Sequence, residues 1–386
     1  MYCLDQLRGG KDHESGHEDR QNDQQDHQKA DFFPRLRSRG FFRRAHVPFA
    51  AQIDLEFFRV FRHDLGDGRT PSFQHDGWGF YPQGDIYRVN LFLHVVFLYQ
   101  IIKKHRYIYI HSLHNYFKIY CFSLRHHNVT LDIHGTVPEE MAFAGNRFFS
   151  SILSFTEKKL FKEASNFICV SEEMKDFYIE KYPFCSTKTF IIKPIFSHNS
   201  FAEVQPEKLL ALKEQLGIQE DDVVFVYSGN TQRWQNVELT IQSMIKNAVP
   251  NHFHILLTGN VSGVKKMVET VSPDHSFRYI IRSVAPSELS TYYSLAHYGY
   301  ILRDEHVLNR VAAPTKLIEY LYYGIIPIVK YERIGDPFRL GYQYVNYQND
   351  LSQLLPCKSE KNKEIALILS SRNSDKKLSD YYQTGF

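Results

Sequence analysis

Polar residues dominate the start of the chain. The run KDHESGHEDRQNDQQDHQKA holds too few apolar side chains to bury, which is the composition of a disordered segment. Residues 31–75 carry more Phe, Arg and His, yet sustain neither a 3.6-residue nor a two-residue period, so no element is assigned there. From about residue 88 the texture changes to short apolar runs alternating with amphipathic ones. Strands are predicted at 107–110, 129–133, 167–170 and 190–192, and one long helix over about 139–164. Another helix comes after Ser171, whose hydroxyl stands where an N-cap belongs in SEEMKDFYIEKY. A polar connector, roughly 196–222, contains the helical text PEKLLALKEQLG. Beyond it come strands at 223–227, 253–258, 279–282, 300–302 and 326–329, with helices at about 235–247, 261–271, 286–297 and 315–323. Short apolar strands alternating with helices predict parallel sheets covered on both faces, here two doubly wound α/β domains.

The expected division is an atypical segment over 1–80, disordered or non-native, then a partial N-terminal α/β domain over 81–195. A linker over 196–222, a second α/β domain over 223–370 and a tail or helix over 371–386 complete it. At 386 residues the chain exceeds one ordinary core, and two such domains would hold a ligand between them at the carboxyl ends of their strands. The near balance of 46 basic against 43 acidic residues argues against nucleic acid as a partner. Cys3, Cys121, Cys169, Cys185 and Cys357 form no C-x-x-C pair, which disfavours a disulfide framework and fits a reducing cytoplasm. The apolar stretch over 91–102 includes His94 and Gln100 and falls well short of the ~20 residues a membrane-spanning helix needs. No signal-peptide pattern stands at the N-terminus. A soluble or peripheral protein is expected.

The segment with most chemistry is NRVAAPTKLIEYLYYGIIPIV, residues 309–329. Pro314 and Thr315 open a helix and Gly324 closes it. Unpaired N–H groups around Thr315 and Lys316, with the helix dipole behind them, suit a diphosphate. Lys316 and Arg310 add positive charge, and Glu319, one turn further in, suits ribose hydroxyls. The competing reading is a surface helix with an ordinary Lys/Glu pair at i, i+3. Five histidines, His105, His111, His114, His126 and His127, are read as polar loop edges, because no carboxylate or cysteine completes a ligand set. No D-x-D motif is present, so no metal cofactor is expected. The helix through NRFFSSILSFTEKKLFKEA interleaves Phe and Lys, which fits either an anionic membrane surface or a core helix with a solvated basic face.

That segment, preceded by Gly299-Tyr300-Ile301-Leu302-Arg303, resembles the donor-binding motif of group 1 GT-B glycosyltransferases, which are retaining enzymes. LDIHGTVPEE, FICVSEEMKDFY and VYSGNTQRWQNVELTI resemble further stretches of that family in the same order. The resemblance, from about residue 88 onward, implies a GT-B-like fold of two Rossmann-like domains facing across a cleft. It implies that Glu319, the second Glu of an E-x7-E motif, contacts the nucleotide ribose, and that Thr315 and Lys316 start the diphosphate-binding helix. Gly229 corresponds to the glycine where backbone approaches the sugar nucleotide, and His134 to the histidine near the transferred sugar. Glu139 and Glu140 either touch acceptor or sugar hydroxyls or merely begin a helix. The first Glu of the motif is replaced by Val311, and the usual Gly-Arg…Lys-Gly phosphate pair reads Gly229-Asn230 and Gln235-Asn236, which leaves Arg233, Arg303, Arg310 and Lys316 as the cations. The family's first strand and glycine-rich loop are not found in 1–80. The activity this resemblance implies is metal-independent transfer of a hexose-type sugar from a nucleotide-sugar donor to a glycan or lipid-linked acceptor. Its implied setting is the cytoplasm, peripheral to a membrane, in surface-polysaccharide synthesis. A catalytically inactive remnant that binds nucleotide or a partner enzyme, and a sugar-nucleotide epimerase, are the alternatives.

Overall fold

The structure, a computed structural model, describes residues 95–194, 201–274 and 277–371. The expectations for 1–80 and for the tail beyond residue 371 lie outside the described residues. The first half contains α1 (Val95–Lys104), β1 (Tyr107–His111), α2 (Leu113–Phe117), β2 (Asn128–Ile133), α3 (Val137–Phe143), α4 (Arg147–Glu163), β3 (Asn166–Cys169), α5 (Glu172–Lys181) and β4 (Thr189–Ile192). Its four described strands run parallel in the order β1-β2-β3-β4. Every residue of β3 is buried, as a strand covered on both faces must be. Its polar member, Asn166, is satisfied by a 2.8 Å bond from its amide to Asn128 Oδ1.

The single helix expected over 139–164 is two. The chain turns at Gly145, with φ at +88°, and Asn146 Oδ1 then accepts from Phe149 N at 3.1 Å, starting α4 afresh. α4 buries Leu153, Leu160 and Phe161 in the first core, so it is a packing helix, yet Phe148 and Phe155 stand 80% and 70% exposed on it. The N-cap expected at Ser171 is present, its Oγ accepting from Met174 N at 3.1 Å.

The second half holds α6 (Pro206–Leu216), β5 (Val223–Ser228), α7 (Val237–Lys246), β6 (His252–Leu257), α8 (Val261–Val271), β7 (Arg278–Arg282), α9 (Leu289–Leu295), β8 (Tyr298–Ile301), α10 (Val307–Arg310), α11 (Thr315–Tyr322), β9 (Ile326–Val329), α12 (Gly335–Arg339), β10 (Val345–Asn346) and α13 (Glu360–Ser371). The strand order is β10-β9-β8-β5-β6-β7, all parallel. β10, a two-residue edge strand, was not expected from the sequence, and β8 begins two residues earlier than expected and ends one earlier, at Ile301. The order reverses direction between β5 and β8. In a doubly wound sheet that reversal opens a crevice at the strands' carboxyl ends.

Side chains of the second half complete the first. Ser171 Oγ donates to Val311 O at 2.6 Å, and the side chain of Val311 packs in the core of the first half. Buried Asp336 accepts from the backbone N–H groups of Glu172 and Glu173 at 3.1 and 3.2 Å, capping α5 from across the seam. Gly335 makes this approach possible: its φ is +56°, and a Cβ there would stand 2.1 Å from Ala312 O.

Candidate active site

Where the strand order reverses, Gly229, Arg303, Lys316 and Glu319 come together. β5 ends at Ser228, and Gly229 comes next with φ at +148°, a conformation that excludes side chains. A Cβ on Gly229 would lie 3.1 Å from Lys316 Nζ, so the glycine also keeps the backbone and the ammonium close together. Lys316, in the first turn of α11, donates to Gln235 Oε1 at 2.9 Å and stacks its Nζ 4.6 Å from the centre of the Tyr227 ring. Burial first, then the Arg303 charge, push its pKa down to about 7, with Glu319 opposing.

Glu319 sits one turn along α11, buried, and accepts from Tyr293 Oη at 3.3 Å. Tyr293 Oη also bonds Ser228 Oγ at 2.7 Å, and Tyr320 Oη accepts from Ser228 N at 3.1 Å. Two tyrosines therefore fix the end of β5 to α11. Asn236, in the left-handed region, donates from its side chain to Leu302 O at 2.7 Å and ties the loop after β5 to the end of β8. None of these fixing residues was found from sequence, because Ser228, Tyr293 and Tyr320 meet only through the tertiary fold.

Of the other expected cations, Arg303 follows the end of β8 in a half-buried position, and desolvation pushes its pKa down. Its Nη1 reaches Asn309 Oδ1 at 3.5 Å, but its Nε is buried without a hydrogen-bond partner, as is the Nε of Arg310 at the end of α10. Buried donors are normally paired, and an unpaired one costs about 1–3 kcal/mol. Orphaned guanidinium donors of this kind suit an anionic ligand. Thr315 is the exposed first residue of α11. Arg233 is exposed on the turn that carries Gln235, and its charge acts on Asp304.

In the first half, His134 stands just past β2. Its Nε2 lies 3.0 Å from Asp132 Oδ2 and 3.1 Å from His111 Nδ1. The Asp132 hydrogen bond raises the His134 pKa against the effect of burial. Burial pushes the Asp132 carboxyl up, but hydrogen bonds from His111, His134 and Tyr109 outweigh it and hold the group well below the usual carboxylate range. The expectation that no carboxylate stands near the histidines at 105–127 is thus corrected, because the pairing of β1 with β2 sets His111 against Asp132. Glu139 and Glu140 lie in the first turn of α3. Glu139 accepts from Lys181 Nζ at 2.7 Å, and Lys181 also pairs with buried Glu157. Burial, then the Glu139 charge, raises the Glu140 pKa.

Residues 59–196 match the family model described as Glycosyltransferase Family 4, so the match starts ahead of the expected boundary at residue 81. No curated protein matches the chain. Among solved structures it is similar to a sucrose-phosphate synthase from Thermosynechococcus elongatus, at 12% identity and a TM-score of 0.53, over 76% of this chain and 77% of that one. A HepE protein of Anabaena in complex with UDP-glucose gives 12% identity and a TM-score of 0.47, over 73% and 72%. A glycosyltransferase from Rickettsia africae gives 13% and 0.47, over 73% and 76%. The first of these establishes the fold, two parallel α/β sheets arranged as in GT-B enzymes.

Proposed function

We propose that the chain is a GT-B glycosyltransferase similar to the group 1 enzymes, and that it moves a hexose-type sugar from a nucleotide donor to a glycan or lipid-linked acceptor, with retention and without a metal at the diphosphate. One observation carries the donor site: α11 opens with free N–H groups and Lys316, which feels the charge of Arg303 with its orphaned Nε, and Glu319 is buried one turn in. Fixed N–H dipoles and cations of this kind stabilise a departing diphosphate without reorganising as charge develops. Glu319 keeps acceptor capacity beyond the Tyr293 bond, which suits a diol such as ribose. His134 serves the transferred sugar from the other sheet. Exposed Phe148 and Phe155 lie on the same helix as exposed Lys158 and Lys162, a pairing suited to an anionic cytoplasmic leaflet where a lipid-linked acceptor would be met. Among the described residues no helix is long and apolar enough to cross a membrane.

The test is thermal melting of the purified chain with UDP-, GDP- and ADP-sugars, beside turnover in the presence of EDTA. A ligand at 100 times its dissociation constant adds roughly 2.7 kcal/mol of stability, and Glu319→Ala should remove most of that gain. Turnover that survives EDTA and is lost in His134→Ala completes the expected pattern. A folded chain that no nucleotide sugar stabilises overturns the proposal; a stabilised chain without turnover reduces it to nucleotide binding.

A further inference from the structure

We propose that His111, Asp132 and His134 form a binding site for a zinc-class divalent cation. The strand register builds it. His111 closes β1 and is the direct partner of Asp132 on β2, and His134 lies two residues beyond Asp132, where an extended chain returns to the same face. The three candidate ligand atoms form a triangle: His134 Nε2 to Asp132 Oδ2 is 3.0 Å, His134 Nε2 to His111 Nδ1 is 3.1 Å, and His111 Nδ1 to Asp132 Oδ2 is 3.4 Å. Zinc bonds of about 2.0–2.1 Å at tetrahedral angles separate neighbouring ligand atoms by about 3.3 Å. The triangle therefore has the dimensions of one face of a zinc tetrahedron, before any side chain moves.

The chemistry of the three atoms agrees. Two imidazole nitrogens and one carboxylate oxygen favour zinc, cobalt or nickel over magnesium and calcium, which want oxygen alone. A hydrogen-bonded explanation is crowded, since two ring nitrogens and the Tyr109 hydroxyl all converge on Asp132 Oδ2. A cation accepts all three ligand lone pairs at once, and Tyr109 becomes the outer partner that orients the carboxylate. The side chains of His111 and His134 are 56% and 38% exposed, so an ion has an entry path and keeps a fourth position toward solvent.

The consequence for transfer rests on the proposed role of His134 at the sugar. A bound ion takes the Nε2 lone pair, so zinc acts as an inhibitor of sugar transfer, separate from the cations that face the diphosphate.

The full chain, stripped of metal, should be titrated with Co2+ while its visible d–d absorption is followed, then challenged with Zn2+. The expected result is one equivalent of Co2+ with a tetrahedral spectrum, displaced by Zn2+, and binding at least tenfold weaker in His111→Ala and in Asp132→Asn. Wild-type turnover should fall on zinc addition, with His111→Ala needing at least tenfold more zinc for the same loss. His111 is exposed, and melting without ligand checks that the variant is folded. Absence of the spectrum overturns the site. So does a spectrum that both variants retain, since the ion would then sit on other histidines such as His13, His17 or His27. Cobalt binding without any nucleotide-induced stabilisation keeps this site and rejects the donor reading; nucleotide stabilisation without cobalt binding does the reverse.

Discussion

Lys316 is a residue whose charge state a bound diphosphate should change. A lysine ordinarily titrates near 10.5, and here burial and Arg303 bring the pKa to about 7. Because the folded value is the lower one, the unfolded chain holds a proton that the folded chain lacks between about pH 7 and 10.5. Lys316 therefore makes stability rise with pH across that window, and disfavours folding below it. A diphosphate beside Nζ restores the charge, so donor binding at pH 8 should take up close to one proton. Calorimetric titration in buffers of different ionisation enthalpy measures this, and Lys316→Met should abolish the uptake and weaken binding about tenfold or more. Lys316 and Glu319 were legible in the sequence because a helix start and one turn of helix are local facts. Tyr293 and Ser228 were not, since residues 65 positions apart meet only when β5 and α9 pack into one domain. His111 was visible as a histidine but not as a ligand, because only the register of β1 against β2 supplies its carboxylate.

Among elements, the strands came through most clearly, since a fully buried parallel strand is a short apolar run and little else resembles it. Helix limits came through less well. The Gly145-Asn146 pair reads as the interior of a long amphipathic stretch, yet it ends α3 and caps α4. Asn146→Ala should cost about 1 kcal/mol, read as a lowered urea midpoint with an unchanged slope. The two-residue β10 has no period to detect, and the expected helix over 286–297 shrinks to Leu289–Leu295 because a 3-10 turn at Pro286–Glu288 precedes it.

For the molecule as a whole, the sequence indicated two parallel α/β sheets, and both are present. How one half depends on the other was not indicated. Val311, noted only as the absence of a carboxylate, proves to be an anchor in the opposite core. Asp336 provides the carboxylate that starts α5, and Arg339 reaches Asp176 at 2.5 Å on the same helix. The helix in one half thus begins on an acceptor owned by the other, and neither half retains its full set of hydrogen bonds alone. The consequence is cooperativity. Heating should give one endotherm whose calorimetric and van 't Hoff enthalpies agree for the described halves together. Removing the shared acceptor in Asp336→Ala should uncouple them, so that the single endotherm broadens or splits and the first half melts earlier.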